Sequence, residues 1–202
     1  MRKLILQMQI SLDGNVSAAR GDLDWQVWDW GPDWTWDPDL RQYFNTVFEG
    51  VDTILLSRPL IEGGYLDHWQ QTAQEHADAP EFRFARRIVE IDKVVVTSQA
   101  VESRWERVTV RQENMADVVA ELKAGDGGAI ISFGGVSFAT SLVALGLVDE
   151  LQLFVNPTAV GAGRSIFDSA QRDGLRLSLI ASQAYSCGIV VNRYQQPGRH
   201  AH

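Results

Sequence analysis

The stretch from Gly127 to Phe167 most constrains what this chain can fold into, and within it Phe133-Gly134-Gly135-Val136-Ser137. An apolar run, Ala129-Ile130-Ile131-Ser132-Phe133, stops at two glycines. A helical spacing then begins with Phe138, Leu142, Val143 and Leu145. A strand, two glycines and a helix start present bare N–H groups at the positive end of a helix, with no Cβ atoms in the way. That suits a phosphate-bearing ligand, although a tight turn satisfies the same pattern. The spacing Gly-x-Gly-x-x-Gly is absent, so the common dinucleotide fold is not its source.

The rest of the chain reads as alternating elements. Apolar strands are predicted over 3–10, 51–56, 93–97, 108–110, 129–133 and 150–156. Asp37-Pro38-Asp39-Leu40 is a helix start, with Asp37 as N-cap, Pro38 in the first turn and Asp39 facing the dipole. That helix runs to about Glu49 and closes at Gly50. Residues 67–90 are helical in pieces, interrupted at Pro80, and 115–123 is an amphipathic helix with Val118, Val119 and Leu122 inward. Residues 175–184 and 187–194 form a terminal antiparallel pair. Strands and helices alternate early and strands pair directly late, which predicts an α/β fold with a mostly parallel sheet and an antiparallel C-terminal edge. Residues 1–196 are expected to form one domain and 197–202 a frayed tail.

Composition narrows the function. The net charge of −8 argues against nucleic-acid and anionic-membrane partners. A phosphate site must therefore be built locally, from N–H groups and placed arginines. One cysteine, Cys187, excludes an intrachain disulfide, and no apolar stretch reaches membrane-span length, so a cytoplasmic location is expected. His68 and His76 have no cysteine or carboxylate at ligand spacing, so no metal site is predicted. No Gly-x-Ser-x-Gly elbow points to a hydrolase.

Five of the seven tryptophans lie between Trp25 and Trp36, interleaved with aspartates. Core, interface and substrate lid are the three readings, and exposed they would form a large apolar patch. Asp13, in Ser11-Leu12-Asp13-Gly14, reads either as a turn former or as a cleft-lining carboxylate.

Taken in order, Ser11-Leu12-Asp13-Gly14, Phe133-Gly134-Gly135, Gly146-Leu147-Val148-Asp149-Glu150-Leu151, Pro157, Gly161, Gly163 and Phe167 resemble the dihydrofolate-reductase-like superfamily. The nearest branch is the reductase domain of bacterial riboflavin biosynthesis and its stand-alone relatives. The resemblance spans roughly residues 2 to 195. It implies a three-layer fold, a homodimer and NADPH-dependent hydride transfer to a flat heterocycle, pterin- or pyrimidine-like. It also implies that Gly134, Gly135, Val136 and Ser137 hold the pyrophosphate. Arg58 falls where the family contacts the adenosine 2′-phosphate or the pyrophosphate, and Thr97 and Ser98 fall where its hydroxyls contact the 2′-phosphate. Asp39, in Asp39-Leu40-Arg41-Gln42-Tyr43, is similar to the proton donor of dihydrofolate reductases, although the dipole alone favours an aspartate there. Asp13, Trp25 and Trp28 fall where the substrate cleft and its mobile loop lie, which favours a lid or a dimer contact for the tryptophan segment.

Where the family has Gly-Arg-x-Thr, this chain has Ser57-Arg58-Pro59-Leu60. Pro59 lacks a backbone donor and Leu60 a hydroxyl, so two phosphate contacts are lost. Two rival functions follow: a catalytically silent ligand-binding homodimer without cofactor, and the riboflavin-pathway reductase proper, acting on a ribosylaminopyrimidinone phosphate.

Overall fold

The computed structural model describes residues 1–28, 33–99, 101, 104–167 and 174–196. Asp29 and Trp30 of the tryptophan segment, and the tail 197–202, lie outside the described residues.

The elements, in chain order, begin with β1 (Leu4–Ile10), β2 (Ser17–Ala18), α1 (Pro38–Glu49) and β3 (Val51–Ser57). Then come α2 (Arg58–Glu62), α3 (Tyr65–Glu75), a 3₁₀ turn (Pro80–Phe82), α4 (Arg83–Glu90), β4 (Asp92–Val96) and β5 (Val108–Arg111). They end with α5 (Met115–Ala124), β6 (Ala129–Ser132), α6 (Val136–Ala144), β7 (Glu150–Val155), β8 (Gly163–Arg164), β9 (Ser178–Ala184) and β10 (Val190–Gln195). Eight strands form one sheet in the order β5-β4-β3-β6-β1-β7-β10-β9. The first six are parallel, and β10 and β9 add antiparallel at one edge. The predicted α/β class, with its parallel centre and antiparallel C-terminal edge, is what the structure has.

Strand alternation divides the core in two. Ile5, Ile54, Leu56, Val95, Ile131 and Phe154 face α1, α3 and α4, whereas Leu4, Leu6, Met8, Leu55, Val94, Val96, Ile130 and Leu153 face α5 and α6. Side chains two apart share a face, so neighbours such as Leu55 and Leu56 serve opposite layers. Near-continuous apolar strands are therefore required here, because both faces of the central strands are covered.

Two features differ from the sequence reading. Pro59, read only as a residue without a backbone donor, stands in the first turn of a short helix, α2, that the sequence did not predict, where its missing N–H costs no helical bond. β2 and β8 form a separate two-residue antiparallel pair, Ser17 opposite Arg164 and Ala18 opposite Gly163. A Cβ on Gly163 would run into the Ser17 carbonyl and stand 3.1 Å from Asn15 Cβ, so close strand approach demands the glycine.

The described tryptophans of the 25–36 segment, expected in a lid or a dimer contact, pack into the chain's own aromatic core. Trp25, Trp28 and Trp36 are buried, and Trp28 and Trp36 belong to the core of the α1 layer. Trp28 stacks on Trp34 at 4.2 Å and meets Trp36 and Trp69 at 5.2 and 6.0 Å. Polar contacts pin the backbone as well: Gln9 Nε2 donates to Trp28 O at 3.0 Å, and Val27 N to the buried Asn156 Oδ1 at 2.8 Å. The physical reason is supply: α3, the 3₁₀ turn and α4 provide Trp69, Phe82 and Phe84 as ring partners for Trp34 and Trp28. Among the described residues, no helix is long and apolar enough to cross a membrane.

Candidate active site

A cleft of about 490 Å³ opens at the C-terminal ends of β3, β4 and β6. Strand ends of this kind are where open parallel sheets hold ligands. Its lining includes Ser57, Arg58, Thr97, Ser98, Gln99, Gly135, Val136, Ser137, Ser141 and Arg164. Of the seven residues assigned to a dinucleotide from sequence, six line this cleft and Gly134 is the next residue back; Asp39, the candidate proton donor, lies elsewhere.

The strand-to-helix turn is shaped by packing beneath it. Gly134 and Gly135 have φ of +100° and +79°, a region closed to most side chains. A Cβ on Gly134 would stand 2.6 Å from Met8 Sδ, and one on Gly135 would stand 2.9 Å from Ser57 Oγ. Ser57 Oγ donates to Gly134 O at 3.2 Å, tying the end of β3 to the turn. Ser57 thus supports the turn from below. With the backbone bent this way, α6 begins at Val136, and the first N–H groups of its opening turn have no intrahelical partner.

The electrostatics suit an anion. Among the described residues, no Asp or Glu lines the cleft, and two guanidinium groups do. Arg58 pairs with Glu62, its neighbour one turn on in α2, at 3.3 Å. Arg164 Nη2 donates to Ser137 Oγ at 2.8 Å. Thr97 Oγ1 accepts from Gln99 N at 3.1 Å, which orients the β4 exit. Hydroxyls, guanidinium groups and a helix N-terminus without carboxylates form a donor set that fits the phosphates of a dinucleotide. Arg164 was missed in the sequence; its only local signal is an arginine directly after Gly161-Ala162-Gly163.

The other assigned residues stand outside this cleft. Asp13 is exposed, and both its oxygens are engaged: Ser11 Oγ and Val160 N donate to Oδ1 at 2.6 and 3.1 Å, and Gly161 N to Oδ2 at 2.7 Å. The Ser11 hydroxyl first, and then the Val160 amide, hold its carboxyl well below the usual range. It clamps the β1 exit to the loop before β8. Asp39 is exposed in the first turn of α1. Its neighbour Asp37 is the one held in place, accepting from Leu40 N at 2.8 Å, Ser186 Oγ at 2.8 Å and Cys187 N at 3.1 Å. Burial alone would raise the Asp37 carboxyl, and these donors outweigh it and bring it down. They also pin the start of α1 to the β9–β10 turn, on the far side of β1 and β7 from the cleft.

The RibD C-terminal domain family model matches residues 2–191. The chain is 29% identical over 198 residues to the uncharacterized protein YyaP of Bacillus subtilis (strain 168), covering 98% of this chain and 96% of that one. Its fold is similar to that of a diaminohydroxyphosphoribosylaminopyrimidine deaminase/5-amino-6-(5-phosphoribosylamino)uracil reductase from Thermotoga maritima, with a TM-score of 0.62 and 14% identity, over 96% of this chain and 56% of that one. It is also similar to dihydrofolate reductase from Enterococcus faecalis complexed with NADP(H), with a TM-score of 0.58 and 14% identity, over 96% of each chain. A strand–Gly-Gly–helix turn at the mouth of a three-layer sheet and a match across nearly the whole chain lead to one conclusion: the chain belongs to the RibD C-terminal domain family and has the dihydrofolate-reductase-like fold.

Proposed function

We propose that the protein is an NADPH-dependent reductase that transfers a hydride to a flat heterocyclic substrate, pterin- or pyrimidine-like. The observation that carries this reading is the cleft itself: Arg58, Arg164, Thr97, Ser98 and Ser137 around the start of α6, with no carboxylate among the described lining residues, in a chain of net charge −8. Bound there, NADPH supplies the hydride. Val136 and Ser137 hold its pyrophosphate, and Arg58 with the Thr97 and Ser98 hydroxyls receives the 2′-phosphate, a dianion that favours a cation and short donors. Among the described residues, the cleft lining contains no acid to protonate the nitrogen of the reduced C=N group. Asp39, which the resemblance implies for that step, stands exposed on α1.

The test is titration with NADPH and NADH, read by quenching of tryptophan fluorescence and by calorimetry. Saturable NADPH binding, with NADH weaker, is expected. Arg58→Ala is expected to weaken NADPH by about tenfold or more, the worth of one charge-assisted contact, and to leave NADH nearly unchanged. Pro59 and Leu60 favour the silent ligand-binding relative as the second reading. No binding of either dinucleotide at millimolar concentration would select it.

We also propose a homodimer built on β9. Every residue of this strand is exposed, its outer edge is unpaired within the described sheet, and Leu179 and Ile180 stand 57% and 42% exposed. An open apolar edge strand is a template for a second copy. Sedimentation equilibrium is expected to give twice the 22.5 kDa chain mass, and Ile180→Lys to shift the species to monomer. A wild-type monomer at all concentrations would remove the proposal.

A further inference from the structure

Arg164 enters the cleft from outside the strand–glycine–helix motif. It belongs to β8, and its position is fixed from two sides: Gly163 packs against the Ser17 carbonyl, and Asp13 holds the Val160 and Gly161 amides of the preceding loop. Its guanidinium reaches Ser137 Oγ, in the first turn of α6, at 2.8 Å. This placement is electrostatically adverse on its own. A cation beside a helix N-terminus meets the positive end of the dipole, whereas an anion is favoured there. Arg58 has Glu62 for a partner, but among the described residues Arg164 makes no ion pair. An anion lying between Arg164 and the start of α6 reverses the sign of the arrangement. It also draws a second donor from Ser137, whose hydroxyl oxygen accepts from Arg164 and whose proton is thereby left to point elsewhere.

We propose that Arg164 binds the pyrophosphate of the dinucleotide, supplying from β8 the donors that Pro59 and Leu60 cannot supply from the β3–α2 side. This rests on the reading of the cleft as an NADPH site. It divides the work between two arginines. Arg164, at the α6 start, serves the part common to NADPH and NADH. Arg58, with Thr97 and Ser98, serves the 2′-phosphate that NADPH alone carries.

Calorimetric titration of the wild type, Arg164→Gln, Arg164→Lys and Arg58→Ala with NADPH and with NADH tests this. Arg164→Gln keeps a donor for Ser137 and removes the charge; it is expected to weaken both dinucleotides by the same factor, about tenfold or more. Arg164→Lys is expected to recover part of that loss, and the NADPH/NADH ratio is expected to move only in Arg58→Ala. The thermal midpoint of unliganded Arg164→Gln should match the wild type, because the side chain is exposed. Wild-type affinity for both dinucleotides in Arg164→Gln, or a loss confined to NADPH, overturns the assignment while leaving the reductase reading in place. Failure of the wild type to bind either dinucleotide overturns the reductase reading, and the Arg164 assignment with it.

Discussion

Replacing Trp28 by alanine is expected to destabilise the protein by about 4 kcal/mol, the usual cost of removing a large buried ring. The side chain is 4% exposed and sits among Trp34, Trp36, His68 and Trp69, with ring centroids 4.2 to 6.0 Å away. Deleting it removes the stack on Trp34 and leaves a void bounded by α3 and the sheet. Those walls cannot collapse, because Gln9 and Asn156 hold the neighbouring backbone to the strand ends. Equilibrium urea denaturation, followed by circular dichroism, measures the loss. Trp34→Ala, at a half-buried ring, should cost less than Trp28→Ala. A loss below about 1 kcal/mol at Trp28 would contradict core packing, since that is the range of surface substitutions. It would return the segment to the role of a lid.

That contrast shows what could be read from residues alone. The sheet was legible because strands covered on both faces must carry apolar runs that do not alternate, such as Leu4-Ile5-Leu6 in β1 and Ile54-Leu55-Leu56 in β3. The Gly-Gly turn was legible from the strand-to-helix pattern, whereas Arg58, Thr97 and Ser98 came from the family resemblance; they meet Ser137 because the ends of β3, β4 and β6 face one way. What escaped depends on contacts far apart in sequence. Ser17 pairs with Arg164 through strands of two residues each, too short to carry a period. The tryptophans carried an equally strong signal for core, lid or interface, and only the placement of α3 and α4 beside them decides. Pro59 is a different case. It lacks the donor as read, and it also carried a cue that was not used, proline in the first turn of a helix.

Arg193→Leu is expected to cost about 3 kcal/mol, because it strands a charge in the sheet. Glu150 opens β7 with its side chain 5% exposed, on the face covered by α1. Its Oε1 accepts from Arg193 Nε at 2.8 Å and Nη2 at 2.7 Å, and from Gln152 Nε2 at 3.0 Å. β10 supplies this arginine while pairing with β7, so the ion pair fastens the antiparallel edge to the parallel centre. Removing the cation leaves a carboxylate desolvated with one amide donor. Removing both charges does not, so Glu150→Gln combined with Arg193→Leu is expected to recover most of the loss, to within about 1 kcal/mol of wild type. Urea midpoints of the two single variants and the double variant close the cycle. Near-additive losses would mean that the two residues act separately and that packing, not charge, holds β10. The same series bears on assembly, since β9 is held to the sheet only through β10. If β9 carries the dimer, Arg193→Leu should weaken self-association as well as folding, and the double variant should restore both.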